Sequence, residues 1–160
     1  MSAKIYNLQI EDGLCTLLDS NRPVRNQLKK VRLKRAIYVF RRDQEIIYVG
    51  ETRRGVYRCI DGLMCPESQS VAYPWRNHRD IRNSQLQLMV TSVGLPATMA
   101  RKKSSREVVE ADVASAIFAA KRSWPSKLSA IKVHGGINRT QSYQHATQGV
   151  LKALKDYGWL

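Results

Sequence analysis

Residues 36–58, AIYVFRRDQEIIYVGETRRGVYR, restrict what this chain can fold into more than any other stretch. Ile37-Tyr38-Val39-Phe40 and Ile46-Ile47-Tyr48-Val49 are two runs of β-branched and aromatic residues separated by polar residues 42–45, which predicts an antiparallel hairpin. The tip contains neither Asn-Gly nor Asp-Gly, so a loop longer than the tight two-residue turn is expected. With an odd number of loop residues, such as Arg42-Asp43-Gln44, pairing places Tyr38 and Tyr48 on the same face of the sheet. Residues 51–60 then read as a turn and the start of a helix, carrying Arg53, Arg54 and Arg58 to the strand ends. The planar fork of arginine suits phosphate oxygens, and fixed positive charge stabilises the negative charge that builds in phosphodiester cleavage. For Arg53 and Arg54, plain surface solubility is the competing role.

The length of 160 residues predicts one domain, 1–160, large enough to bury about 68–70% of its unfolded surface without metal or disulfide. Cys15, Cys59 and Cys65 are odd in number and lack paired metal spacing, which predicts free thiols in a reducing compartment. With no charged-then-apolar leader and no apolar run of spanning length, a soluble cytoplasmic protein without a membrane partner is expected. Lys and Arg number 27 against 13 Asp and Glu, a formal net charge of +14 that attracts polyanions and points to nucleic acid.

In chain order, Leu14, Leu17 and Leu18 before the polar turn at residues 19–23 predict a short N-terminal helix. Residues 24–35 concentrate Arg25, Lys29, Lys30, Arg32, Lys34 and Arg35; Lys29 and Lys30 are candidate phosphate contacts on such an arm, and a solvated helical face is the alternative. Residues 62–73 read as a long loop, followed by Trp75, Arg76, Asn77, His78, Arg79 and Arg82. Arg76 and Arg79 are candidate contacts to DNA, whereas Trp75 is better suited to packing. Alternation of Leu86, Leu88 and Val90 with polar residues predicts a third strand over residues 85–93, ended by Gly94-Leu95-Pro96.

Residues 104–121 predict the main helix, opened by Ser104-Ser105-Arg106-Glu107 as a capping box in which Ser104 and Glu107 satisfy each other's backbone donors. Val113, Ala114 and Ile117 follow Glu110 by three, four and seven residues, so Glu110 lies on or beside the apolar stripe. A carboxylate there needs a cationic partner, either a divalent ion or an arginine such as Arg58. Trp124-Pro125 closes this helix, Gly135-Gly136 marks a turn, and Leu151, Leu154 and Trp159 predict a final helix over residues 150–159. His134 and His145 lack metal-ligand spacing and read as surface or packed histidines.

The ordered set of AIY, a second triplet YVG ten residues on between tyrosines, Arg58 eight residues past Gly50, and Glu110 within REVVEADVASAIF resembles the GIY-YIG nuclease signature. The resemblance covers residues 35–121. It implies an α/β fold with a small three-stranded antiparallel sheet flanked by helices, with a motif core at about 35–125. The segments 1–34 and 126–160 would be helical additions. It further implies that one Mg²⁺ or Mn²⁺, held by Glu110 and water, polarises the scissile phosphate while Tyr38 activates or orients the attacking water. Tyr48 would hydrogen-bond the nucleophile or a phosphate oxygen. An unperturbed tyrosine titrates near about 10, so Tyr38 would need cations beside it, which Arg58 and Arg53 could supply.

Three positions depart from the family pattern: Ala36 opens the first triplet, Glu51 follows the second, and Gly62 stands where many members carry histidine or tyrosine. His78 is the candidate replacement for the missing proton carrier, and Asn138 comes later than the family's usual asparagine. The expected function is metal-dependent hydrolysis of double-stranded DNA by a restriction-type or mobile-element endonuclease. A nuclease toxin would carry the same features, and a non-catalytic DNA-binding module on the same scaffold is the rival from another class. The sequence leaves open a homodimer, which would help a single site cut both strands.

Overall fold

The computed structural model describes residues 3–11, 14–19, 22–23, 35–53, 84–124 and 138–160. Within them lie strands β1 (Ala3–Glu11), β2 (Leu14–Asp19), β3 (Arg22–Pro23), β4 (Ala36–Arg42), β5 (Glu45–Thr52) and β6 (Ser84–Ser92). The helices are α1 (Ala97–Arg101), α2 (Lys103–Lys121) and α3 (Gln141–Asp156). The fold is α/β, and every strand pairing is antiparallel, in the order β3-β2-β1-β6-β4-β5.

The three predicted strands are present as β4, β5 and β6, but the sheet is larger than the three strands expected. Among the described residues it has five full strands and the two-residue β3. The N-terminal addition is not helical where it is described: residues 14–19 form β2, and β1 joins β6 over eight residue pairs from Ala3↔Thr91 to Ile10↔Ser84. The reason is period. Tyr6, Leu8 and Ile10 are buried and alternate with Asn7 and Gln9, so β1 has one apolar face that pairing with β6 extends. Asp12-Gly13, between the paired residues Glu11 and Leu14, is the sequence signal for that hairpin.

The β4–β5 tip also differs from expectation. Arg42 pairs with Glu45 around the turn residues Asp43 and Gln44, with Asp43 at φ 51°. An aspartate tolerates that left-handed conformation better than most residues, so a tight turn forms without glycine. An irregularity between Phe40 and Arg41 shifts the pairing from Phe40↔Tyr48 to Arg41↔Ile46, leaving Ile47 as an extra residue on β5.

The helices cover one face of the sheet. Ile37, Val39, Val49 and Met89 pack there with Val108, Val109, Val113 and Ile117 of α2 and with Ala146, Val150 and Leu154 of α3. α3 begins nine residues before the predicted start, and Tyr143 in its first turn bonds the Ser105 hydroxyl at 3.1 Å. Trp159, past the helix end, is buried under the Arg41 guanidinium, 4.6 Å from its centre. Arg41 also donates to Gln87 Oε1 and to the Gly158 carbonyl, and burial lowers its pKa from the ordinary arginine value. No helix among the described residues is long and apolar enough to cross a membrane.

The capping box does not form. α2 starts one residue earlier than predicted, Lys102 occupies its N-cap, and no side chain caps it. α1 runs into α2 with only Lys102 between them, so the cap position falls before Ser104 is reached. Glu107 instead lies 3.5 Å from Lys103.

Candidate functional site

The bulge determines which side chains meet. A two-residue turn alone would pair Tyr38 with Val49 and put the two phenols on opposite faces, because side chains alternate along a strand. The extra residue at Ile47 restores the parity, giving Tyr38↔Gly50 and Phe40↔Tyr48. Tyr38, Phe40, Tyr48 and Gly50 therefore share one face, the face opposite the helical layer. Tyr38 and Tyr48 stack with centroids 5.8 Å apart at 25°, and Phe40 meets Tyr38 edge-on at 5.7 Å. Both phenol rings are buried, Tyr38 to 3% and Tyr48 to 6% exposure. The predicted shared face is present, reached by a turn and a bulge instead of a longer loop.

Gly50 leaves the room for this stack. A Cβ there would stand 2.5 Å from Tyr38 Oη and 2.6 Å from Tyr48 Cε1, far inside contact distance. Its role is close approach of the Tyr38 ring to backbone. Gly50→Ala is expected to displace the Tyr38 ring and to destabilise the fold by about 1–3 kcal/mol, the usual scale of overpacking. A urea unfolding midpoint equal to wild type would show that the ring yields without cost.

Glu51 points to the helical side. Its carboxylate accepts from Arg106 Nε at 2.5 Å, and Arg106 and Glu51 side chains are only 3% and 13% exposed. Arg106 Nη1 also donates to the carbonyls of Ala100 at 2.8 Å and Arg101 at 3.1 Å. One guanidinium thus joins the end of β5, the α1–α2 junction and the first turns of α2. The position after the second triplet is a buried anchor for the helix. Arg106 enters the sequence reading only as a spacer in the capping box; its signal is a cation on the apolar side of an amphipathic helix, one turn before Glu110.

Glu110 lies one helical turn beyond Arg106 and is half-buried beside Val113, Ala114 and Ile117, as its spacing predicts. α2 runs along β5 on the Val39 and Val49 side of the sheet, so the helix that carries Glu110 packs on the face opposite the Tyr38–Tyr48 stack. Arg53 is exposed just past β5, and Asn138 is exposed ahead of α3. Lys29, Lys30, Arg54, Arg58, Arg76, His78 and Arg79 lie outside the described residues. Asp112 on α2 pairs with Arg139 at 3.1 Å.

Among the described residues, no three His, Cys, Asp or Glu side chains group together. A metal at Glu110 would take one carboxylate donor from this helix. That donor set suits Mg²⁺, which dehydrates reluctantly and is commonly held by one or two carboxylates. Comparison with protein-family models, with curated proteins and with solved structures found no match to this chain.

Proposed function

We propose that this chain is a divalent-metal-dependent endonuclease hydrolysing double-stranded DNA, of the restriction type. The observation that carries the reading is the stacked Tyr38–Tyr48 pair seated on Gly50, with the next residue, Glu51, tied to the helix of Glu110. This is the ordered set of tyrosines, glycine and helical glutamate in which the sequence resembles the GIY-YIG nucleases. The net charge of +14 supports a polyanionic substrate.

In this reading the Tyr38 phenolate accepts a proton from the attacking water, or the hydroxyl orients it, and Tyr48 hydrogen-bonds the nucleophile or a phosphate oxygen. Glu110 holds Mg²⁺ or Mn²⁺. Arg58 and Arg53 neutralise the phosphate and favour the phenolate, and His78 carries the proton that the family places elsewhere. When bound, the ion supplies polarisation of the scissile phosphate and charge for the leaving oxygen. A nuclease toxin would use the same side chains, and a neighbouring methyltransferase or immunity gene distinguishes the two roles.

Supercoiled plasmid incubated with the protein and Mg²⁺ is the direct test. Nicked and linear products that EDTA abolishes are expected. Tight binding without cleavage would overturn the enzyme and leave a DNA-binding module on this scaffold.

A further inference from the structure

We propose that Arg101, Lys102 and Lys103, together with Arg53, form a DNA-backbone contact surface at the β5 edge, beside the candidate site. The inference rests on the nuclease reading and adds a surface to it.

The surface is assembled by Arg106. Its guanidinium holds Glu51 near the end of β5 and, with a second nitrogen, the carbonyls of Ala100 and Arg101. Arg53 follows Glu51 by two residues, so the end of β5 and the α1–α2 junction are held to one another by a single buried side chain. From these two elements Arg53, Arg101, Lys102 and Lys103 are all exposed.

These cations are not explained by the fold. Arg42, Arg106, Arg139 and Lys152 each have a carboxylate within 3.9 Å, whereas Lys121, Arg122 and Lys155 have none among the described residues but are not grouped with a cation from the end of β5. Arg53, Arg101 and Lys102 have no carboxylate partner among the described residues. Lys103 meets Glu107 at 3.5 Å but is 67% exposed, and such surface pairs contribute little. Lys102 and Lys103 also sit at the start of α2, which has no acidic residue in its first turn. Helix electrostatics favour anions there, so these lysines oppose helix stability. Charge retained where the fold gains nothing from it, contiguous with an exposed arginine from another element, suits a partner with regularly spaced negative charges. Duplex DNA is that partner, and each phosphate neutralised releases counterions.

The test compares two variants that each remove three exposed positive charges: R101Q/K102Q/K103Q, and the control K121Q/K152Q/K155Q on other parts of α2 and on α3. Binding to a labelled duplex is measured by fluorescence anisotropy in EDTA across a salt series. The junction variant is expected to flatten the slope of log K against log salt by about 2–3, following roughly 0.9 per lost phosphate contact, with a thermal midpoint no lower than wild type. The control is expected to keep the wild-type slope. Equal slopes for the junction variant and wild type, or an equal loss in both variants, would overturn the surface. Anionic vesicles that bind the protein and are not displaced by duplex would overturn it as well. A wild-type protein with no salt-dependent affinity for duplex overturns both this surface and the nuclease reading. Wild-type cleavage with an unaltered junction variant overturns the surface alone.

Discussion

Tyr38→Phe is expected to cleave DNA about 10²–10⁴-fold more slowly than wild type under single-turnover conditions, the usual range for losing a general base. The substitution removes one oxygen and keeps the ring. The ring makes the packing, since it stacks on Tyr48, meets Phe40 edge-on and closes over Gly50. Thermal stability and duplex affinity should therefore change little. Losing a base should also change how the rate depends on pH in the variant. Tyr48→Phe should cost less, because an orienting hydrogen bond leaves the proton acceptor in place. A Tyr38→Phe protein with normal rate and an unchanged pH profile would make this hydroxyl a packing group and reject the mechanism with the fold intact.

Arg106→Ala is expected to destabilise the protein by about 3–5 kcal/mol, the scale for removing one member of a buried ion pair. Three acceptors lose their donor together: the Glu51 carboxylate, at 13% exposure, and the carbonyls of Ala100 and Arg101. Against a typical total of about 5–15 kcal/mol, that loss is a large fraction of stability. Glu51→Ala should fall in the same range, because it leaves the Arg106 charge without its carboxylate. The double variant Glu51→Leu/Arg106→Met should recover much of the loss, since an apolar replacement of both partners removes the unpaired charge. Urea unfolding of the two alanine variants and their double measures the coupling directly. A loss below about 1 kcal/mol for Arg106→Ala would show that the pair contributes no more than a surface contact.

The amino-acid sequence determined the local elements whose pattern is dense. Runs of β-branched and aromatic residues specified β4 and β5, alternation of Leu86, Leu88 and Val90 with polar residues specified β6, and the 3.6-residue spacing of Val113, Ala114 and Ile117 specified α2 and put Glu110 beside its apolar stripe. Those signals are short-range and need only neighbours within a turn or a strand. The same kind of signal, Tyr6, Leu8 and Ile10 at period two with Asp12-Gly13 behind them, was equally present for β1 and β2, but Leu14, Leu17 and Leu18 also fit helical spacing. Three apolar residues do not separate the two periods; pairing with β1 does.

Tertiary structure alone decided the rest. Whether Tyr38 and Tyr48 share a face depends on a single extra residue, Ile47, and no propensity distinguishes a two-residue turn with a bulge from a longer loop of the same parity. Arg106 and Glu51 stand 55 residues apart, and their bond forms because α2 runs along β5. Sequence periodicity fixes which face of an element is apolar, whereas the partner of a buried charge is fixed only when two elements pack and water leaves the space between them.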